Sequence, residues 1–371
     1  NMNLFNILKF DNPLIVGYPE LPNINDFKEG LNEIWETKIV SNNGPKLKTF
    51  EKQLEEYLDV PYVIVFNNAT TALISLINAL KLKGQIITTP FSFIATANSI
   101  KLSNLNIKFI DICRENYNLN PHNIRTISKN TSAIMPVHIF SNPAFVEEFT
   151  ALSQQYKIKL IYDASHAFGA KYKNKSLLNY GDASVVSFHA TKVFNTLEGG
   201  AIITSNVKLA NKLKQFRNFG ISENGLAYQI GLNGKMNEVL SLIGILQLKN
   251  INLSLAKRKI IYEGYLGSLK DIKNIRLPLQ TKKHENNYSY FPIEVKNKKR
   301  NSLVKKLNEN DIYCKKYFYP IIPDHPVYSK FKNQKFSISR MIAENIICLP
   351  INPSMTYNHI KKISNLIREI V

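Results

Sequence analysis

Short β-branched runs separated by helix-length stretches fill the first two thirds of the chain, and no other feature constrains the fold as strongly. YVIVF (62–66), QIITTP (85–90), IKFIDI (107–112), SAIMPVHIF (132–140) and IKLIYDA (158–164) make up the series. Strands that are apolar on both sides belong in a sheet covered on both faces, and helix-length connections between them make that sheet mainly parallel. Around the turn signal SNNGP (41–45), FKEGLNEIWETKIV and FEKQLEEYL carry the helical period. After about residue 255 the pattern gives way to basic loops, a strand-like YSYFPIEV, a helix near 301–310 and a closing helix at 357–370. The reading is α/β: an N-terminal arm and large sheet domain over residues 1–254, then a smaller C-terminal α+β domain over 255–371.

With 371 residues, 44% of them apolar and 20% charged, the chain can bury a substantial core, which excludes the disordered class. Its three cysteines, Cys113, Cys314 and Cys348, are too few and too widely spaced for a disulfide scaffold or a metal site. No metal is expected, and a reducing compartment fits. The opening NMNLFNILKFDNP lacks the charge cluster and cleavage site of a leader, and no run of 18 apolar residues occurs. The expectation is a soluble cytoplasmic protein without a membrane partner. A net charge of +20 raises the question of nucleic acid. The excess, however, is mostly lysine dispersed along the chain, and KNKKR (296–300) reads as a solvated loop. Such a field also attracts a small anionic substrate.

One block is more specific. IYDASHAFGAKYKNKSLLNYGDASVVSFHATKVFNTLEGGAIIT (161–204) closely resembles the core of the pyridoxal-phosphate-dependent, sugar-modifying aminotransferases known as the DegT/DnrJ/EryC family. That family shows, in order, a DAxx(Q/H)AxG stretch, a GD, an SF, and a lysine followed by EGG. Upstream, SNNGP, NNATTAL and TTPFSFIATAN are similar to the family's first helix, phosphate-binding turn and ring-stacking segment. Downstream, GLNGKM matches its GxNxKM block, and KKYFYP with CLPINP resembles its C-terminal domain. The resemblance spans nearly the whole chain and implies an aspartate-aminotransferase-like fold of type I.

Among many lysines, the resemblance singles out Lys192 as the catalytic amine, joined to pyridoxal 5'-phosphate as a Schiff base and then moving protons. Asp163, at the end of an apolar run where the crevice of an open α/β sheet lies, is implied to hold the pyridine nitrogen protonated. As an isolated residue it would read equally well as a helix cap. His166 stands where the family has Gln or His beside the ring oxygen. The ATT of NNATTAL puts Ala69 and Thr70 at a helix start suited to the phosphate, with Ala69 in a position commonly held by glycine. Ser187 matches a second phosphate ligand. Phe93 aligns with the aromatic over the ring, with Phe91 as the alternative. Asn233 matches an asparagine that reaches the neighbouring subunit's cofactor, so the resemblance implies a homodimer with shared sites. Substrate contacts are expected from Asn43 of SNNGP and Tyr319 of the Tyr317 to Pro320 stretch.

The implied reaction moves the amino group of L-glutamate to a nucleotide-linked keto sugar. The wording of KYFYP, ITTPFSF and GLNGKM favours a dTDP-4-keto-6-deoxyhexose aminated at C4, for a surface glycan such as O-antigen; amination of a 3-keto isomer at C3 is the alternative. Sugar 3-dehydratases of the family have histidine in place of the lysine, against which Lys192 argues. The intact set of Lys192, Asp163 and Ser187 argues against a non-catalytic or nucleic-acid-binding relative.

Overall fold

The computed structural model describes residues 13–279 and 283–371. The opening stretch examined for a leader, and with it the start of the expected arm, falls almost wholly in residues 1–12, outside the described residues.

Seven strands form the main sheet: β1 (Tyr62–Phe66), β2 (Gln85–Thr88), β3 (Asn106–Phe109), β4 (Thr131–Met135), β5 (Lys159–Asp163), β6 (Ala183–Ser187) and β7 (Gly200–Thr204). They are arranged in the order β1-β7-β6-β5-β4-β2-β3. All neighbours are parallel except β7, which runs antiparallel to both β1 and β6 and pairs Gly200 with Phe66 and with Ser187. Side chains alternate between two apolar layers, as the period of two requires. Ile64, Phe66, Ile86, Met135, Ile161 and Val185 join the cluster built with helices α3 (Ala69–Ala79), α4 (Ile94–Leu102) and α6 (Val207–Phe216). Val63, Val65, Ile87, Ile134, Tyr162 and Val186 face the cluster containing α2 (Pro45–Leu58), α5 (Val146–Tyr156) and Ile251. Both faces are covered, so the strands are apolar apart from polar residues such as Asn106, Lys108 and Lys159.

Local chemistry sets the helix ends. Asn23 caps α1 (Ile24–Thr37) by accepting from the N–H of Asn25 at 2.8 Å, and Pro45 opens α2 where its missing N–H costs nothing. A 32-residue helix, α7 (Glu238–Leu269), runs unbroken against α1, α2 and the closing helix α10 (Tyr357–Ile370). Among the described residues it alone is long and apolar enough to cross a membrane by length and composition.

A second, antiparallel sheet joins β8 (Ile275–Arg276), β9 (Phe291–Val295) and β10 (Ile346–Leu349), accompanied by α8 (Arg300–Asn308), α9 (Ser337–Asn345) and α10. Alternation along β10 ties this part to the first: Ile347 and Leu349 face the local core, while Ile346 and Cys348 join the main-sheet cluster, as do Tyr290 and Phe318.

Candidate active site

The carboxyl ends of β2, β4, β5 and β6 and the start of β7 converge on a cavity of about 290 Å³, the position expected for a ligand crevice in an open α/β sheet. Asp163, Lys192, His166, Ser187, Thr70, Ala69 and Phe93 all line it. They come from segments spread over more than a hundred residues and meet because each follows a strand of one sheet.

Asp163 ends β5 on the cavity floor, 4% exposed. Thr96 Oγ1, from α4, donates to its Oδ2 at 2.6 Å, while the N–H and Oγ of Ser165 donate to Oδ1 at 3.1 and 2.6 Å. Because Thr96 spends its proton on Asp163, the 2.7 Å contact between Ser92 Oγ and Thr96 Oγ1 has Ser92 as donor. A carboxylate held at both oxygens by three donors keeps its orientation and its acceptor character.

Lys192 lies in the connection from β6 to β7, which is closed on itself. Phe188 N–H donates to Gly199 O and Thr196 N–H to Phe188 O, each at 2.9 Å, and Lys192 N–H donates to His189 O at 2.9 Å. Its Nζ donates to the hydroxyl of Tyr290 at 3.3 Å. Burial lowers the Lys192 pKa to about 8, with the Asp163 carboxylate pulling the other way. A substantial fraction of the amine is therefore neutral near physiological pH, the form that attacks a carbonyl carbon.

At the other end of the cavity stands the N-terminus of α3. Asn68 caps it by accepting from Thr71 N–H at 2.8 Å, while Ala72 N–H donates to Asn68 O. The amides of Ala69 and Thr70, at the cavity lining, are left for an anion, and the helix dipole favours one there. Ser187 Oγ, which accepts from His189 N–H at 3.3 Å, lines the same end. The glycine of β7 makes this approach possible: a Cβ on Gly200 would lie 2.6 Å from Ala69 N and 2.7 Å from Ala69 Cα. Strand and helix start touch where only glycine fits.

The rings of His166, Phe140 and Phe318 lie near-parallel with their centroids 5.8–6.3 Å apart, so each touches the other two. Its Nδ1 accepts from Phe140 N–H at 3.2 Å, so the neutral ring carries its proton on Nε2. Burial first, and the Lys192 charge second, hold its pKa well below the usual value. Phe93 is 62% exposed on the cavity wall, whereas Phe91 is fully buried edge-on against Phe318 and does not line the cavity.

Three expected residues lie elsewhere in the single chain. Asn233 is exposed, bridged to Asn218, with its carbonyl accepting from Asn67 Nδ2 at 3.4 Å. Asn43 accepts from Arg217 at 3.1 Å in a separate cavity of about 760 Å³ that also holds Lys214 and Lys235. Tyr319 opens onto a cavity of about 400 Å³ that shares Phe93, Tyr317 and Phe318 with the crevice. Conversely, Thr96, Ser165 and Tyr290 were not singled out from sequence. Thr96 and Ser165 sit inside the quoted FSFIATAN and DASHA stretches, and their hydroxyls were the available signal; Tyr290, 98 positions from Lys192, offered none.

Residues 23–368 match the family model described as the DegT/DnrJ/EryC1/StrS aminotransferase family. The dTDP-4-amino-4,6-dideoxy-D-glucose transaminase of Shigella dysenteriae is 40% identical, covering 97% of this chain and 100% of that protein. The Escherichia coli protein of the same name is 36% identical, covering 96% and 98%. The crystal structure of DesI in the presence of its TDP-sugar product superposes with a TM-score of 0.92 at 26% identity, covering 97% of this chain and 93% of that one.

Proposed function

The chain belongs to the DegT/DnrJ/EryC1/StrS aminotransferase family, and from that premise we propose that it transfers the amino group of L-glutamate to C4 of a dTDP-4-keto-6-deoxyhexose. The product is dTDP-4-amino-4,6-dideoxyglucose, destined for a surface glycan. One observation carries this choice: two near-full-length relatives, at 40% and 36% identity, bear the name of that transaminase, which favours C4 over the C3 alternative. The enzyme depends on pyridoxal 5'-phosphate, which supplies an aldehyde for amine capture and an electron-accepting ring.

The residues present fit that group. A half-buried amine of lowered pKa, a carboxylate fixed by three donors and a capped helix start with two spare amides share one cavity. In our reading Lys192 offers its neutral Nζ to the cofactor and later carries a proton to and from substrate carbon. Asp163, its orientation fixed by Thr96 and Ser165, would hold the ring nitrogen of the cofactor protonated. His166, with its proton on Nε2, would donate to the cofactor, and Phe93, exposed on the cavity wall, would pack against its ring. The amides of Ala69 and Thr70, the Thr70 hydroxyl and Ser187 would hold the phosphate.

Asn43 and Tyr319 remain our candidates for substrate contacts. A homodimer in which Asn233 serves the neighbouring site is part of the same reading, since an exposed asparagine off the crevice of its own chain has reason to reach another. We place the enzyme in the cytoplasm, where its nucleotide-sugar and glutamate substrates would be met, with neither nucleic acid nor membrane as partner.

Incubation with glutamate and a panel of dTDP-4-keto and dTDP-3-keto sugars, with the amine position of the product read by NMR, tests the reading. Nitrogen at C4 is expected. Nitrogen at C3 only, or no transfer to either sugar, refutes it.

A further inference from the structure

Among the described residues, the one side-chain hydrogen-bond partner of Lys192 Nζ is the Tyr290 hydroxyl. Tyr290 immediately precedes β9 and so brings the second sheet into the crevice. Its ring is 4% exposed and packs against His166, Phe140 and Tyr317, with centroids at 4.6, 5.5 and 5.7 Å. Aromatic contacts from three segments fix the ring, so the oxygen occupies one place. Burial holds the phenol well above its usual pKa, so it stays protonated. A neutral hydroxyl accepts from an ammonium and donates to an amine; it can therefore accompany Nζ in either protonation state, and it holds the charged form more strongly.

We propose that Tyr290 is the positioning residue for the Lys192 amine whenever that amine is not attached to the cofactor. A lysine side chain has four rotatable methylenes, and a released amine without a partner samples many rotamers. The Tyr290 hydroxyl restricts that sampling, so the base stays beside Asp163 and His166 through each half-reaction. The proposal rests on the assignment of Lys192 made above. Other titratable groups around the amine have separate places. Asp163, from β5, favours its charged form, and His166 is neutral. His189 and Glu198, in the lysine's own connection, face each other at 3.6 Å at the mouth, and Tyr317 lies behind Tyr290.

The test uses full-length Tyr290→Phe, which keeps the ring and removes the oxygen. In cofactor-free protein, competitive acetylation across pH, read by mass spectrometry of the Lys192 peptide, reports the protonation midpoint of the amine. In the wild type this midpoint lies near 8. Loss of an acceptor for the charged form lowers it by about one pH unit in the variant. With cofactor bound, kcat of the glutamate half-reaction falls about tenfold at unchanged KM. An unmoved midpoint overturns the proposal. So does a Tyr290→Phe chain that fails to fold, because the hydroxyl would then bear structure rather than position an amine. Borohydride trapping of the wild-type holoenzyme separates the two claims. Cofactor fixed to another residue refutes the Lys192 assignment, whereas cofactor fixed to Lys192 with an unmoved midpoint refutes the role of Tyr290 alone.

Discussion

Replacing Lys192 by methionine keeps an unbranched side chain and deletes one titrating group, and its stability signature follows from the burial of the amine. Unfolded, the lysine holds its proton up to the usual 10.5; folded, only to about 8. Between those values the unfolded state binds more protons, so wild-type stability rises with pH across that window. At about 1.4 kcal/mol per pKa unit, the wild type carries a penalty of about 3 kcal/mol at about pH 7, about 2 at about pH 9 and under about 0.5 at about pH 10.5. Lys192→Met has no such penalty. Its stability advantage over wild type should therefore shrink by about 3 kcal/mol from about pH 7 to 10.5. Terms such as the packing of the methionine sulfur, or the Tyr290 hydroxyl left without its partner, shift the whole curve and cancel in the slope. Groups common to both chains cancel to the same order. Urea titrations of the two cofactor-free proteins at several pH values give the difference directly. Parallel curves would refute the reasoning, since they mean that Lys192 titrates alike in the folded and unfolded chains.

Gly200→Ala pushes a methyl into the backbone of Ala69. It should cost about 1 to 3 kcal/mol in urea unfolding and weaken cofactor binding in a direct titration; unchanged binding would detach Gly200 from the phosphate end. Asp163→Asn should slow the half-reaction with glutamate, followed by stopped flow, far more than it weakens cofactor affinity; equal losses in both would make the side chain a structural one. Lys192→Ala and Asn233→Ala, mixed and allowed to exchange subunits at limiting cofactor, should regain activity towards one native site of the two in each hybrid dimer. Exchange confirmed by mass without recovery would confine Asn233 to its own subunit.

Sequence alone conveyed the parallel sheet well because strands covered on both faces are largely apolar. YVIVF coincides with β1 residue for residue, and IKLIYDA contains β5 with Asp163 at its end. The site residues were legible where a short motif carries them, as in DASHA and SFHATK. The antiparallel direction of β7 was not legible, because GGAIIT has the same composition whichever way it runs and pairing decides the direction. Helix α9 and strand β10 were not anticipated as elements, since they are short and gain their definition from packing against β9 and the main sheet. Tyr290 illustrates the general limit. Its place beside Lys192 depends on how the second sheet docks, and periodicity within one segment carries no record of that.

The connection bearing Lys192 starts on β6 and ends on β7, two strands hydrogen-bonded to each other, with Phe188 and Gly199 joined at its neck. Both ends are fixed to one rigid body, so its length sets where the amine lies relative to Asp163. A residue added there has nowhere to bulge except into the crevice or away from it, and either displaces Nζ. The Tyr317 to Pro320 stretch is held instead at Lys315, bonded to Cys348 of β10, and at Ile322, bonded to Pro90, while its exposed Tyr319 borders the neighbouring cavity. Engineers who wish to change the sugar accepted by this scaffold should therefore vary the exposed Tyr319 of the second segment and keep Tyr317 and Phe318, which pack against Tyr290 and His166. The first should be kept at constant length, however freely its outward-facing side chains, such as that of Leu197, are varied.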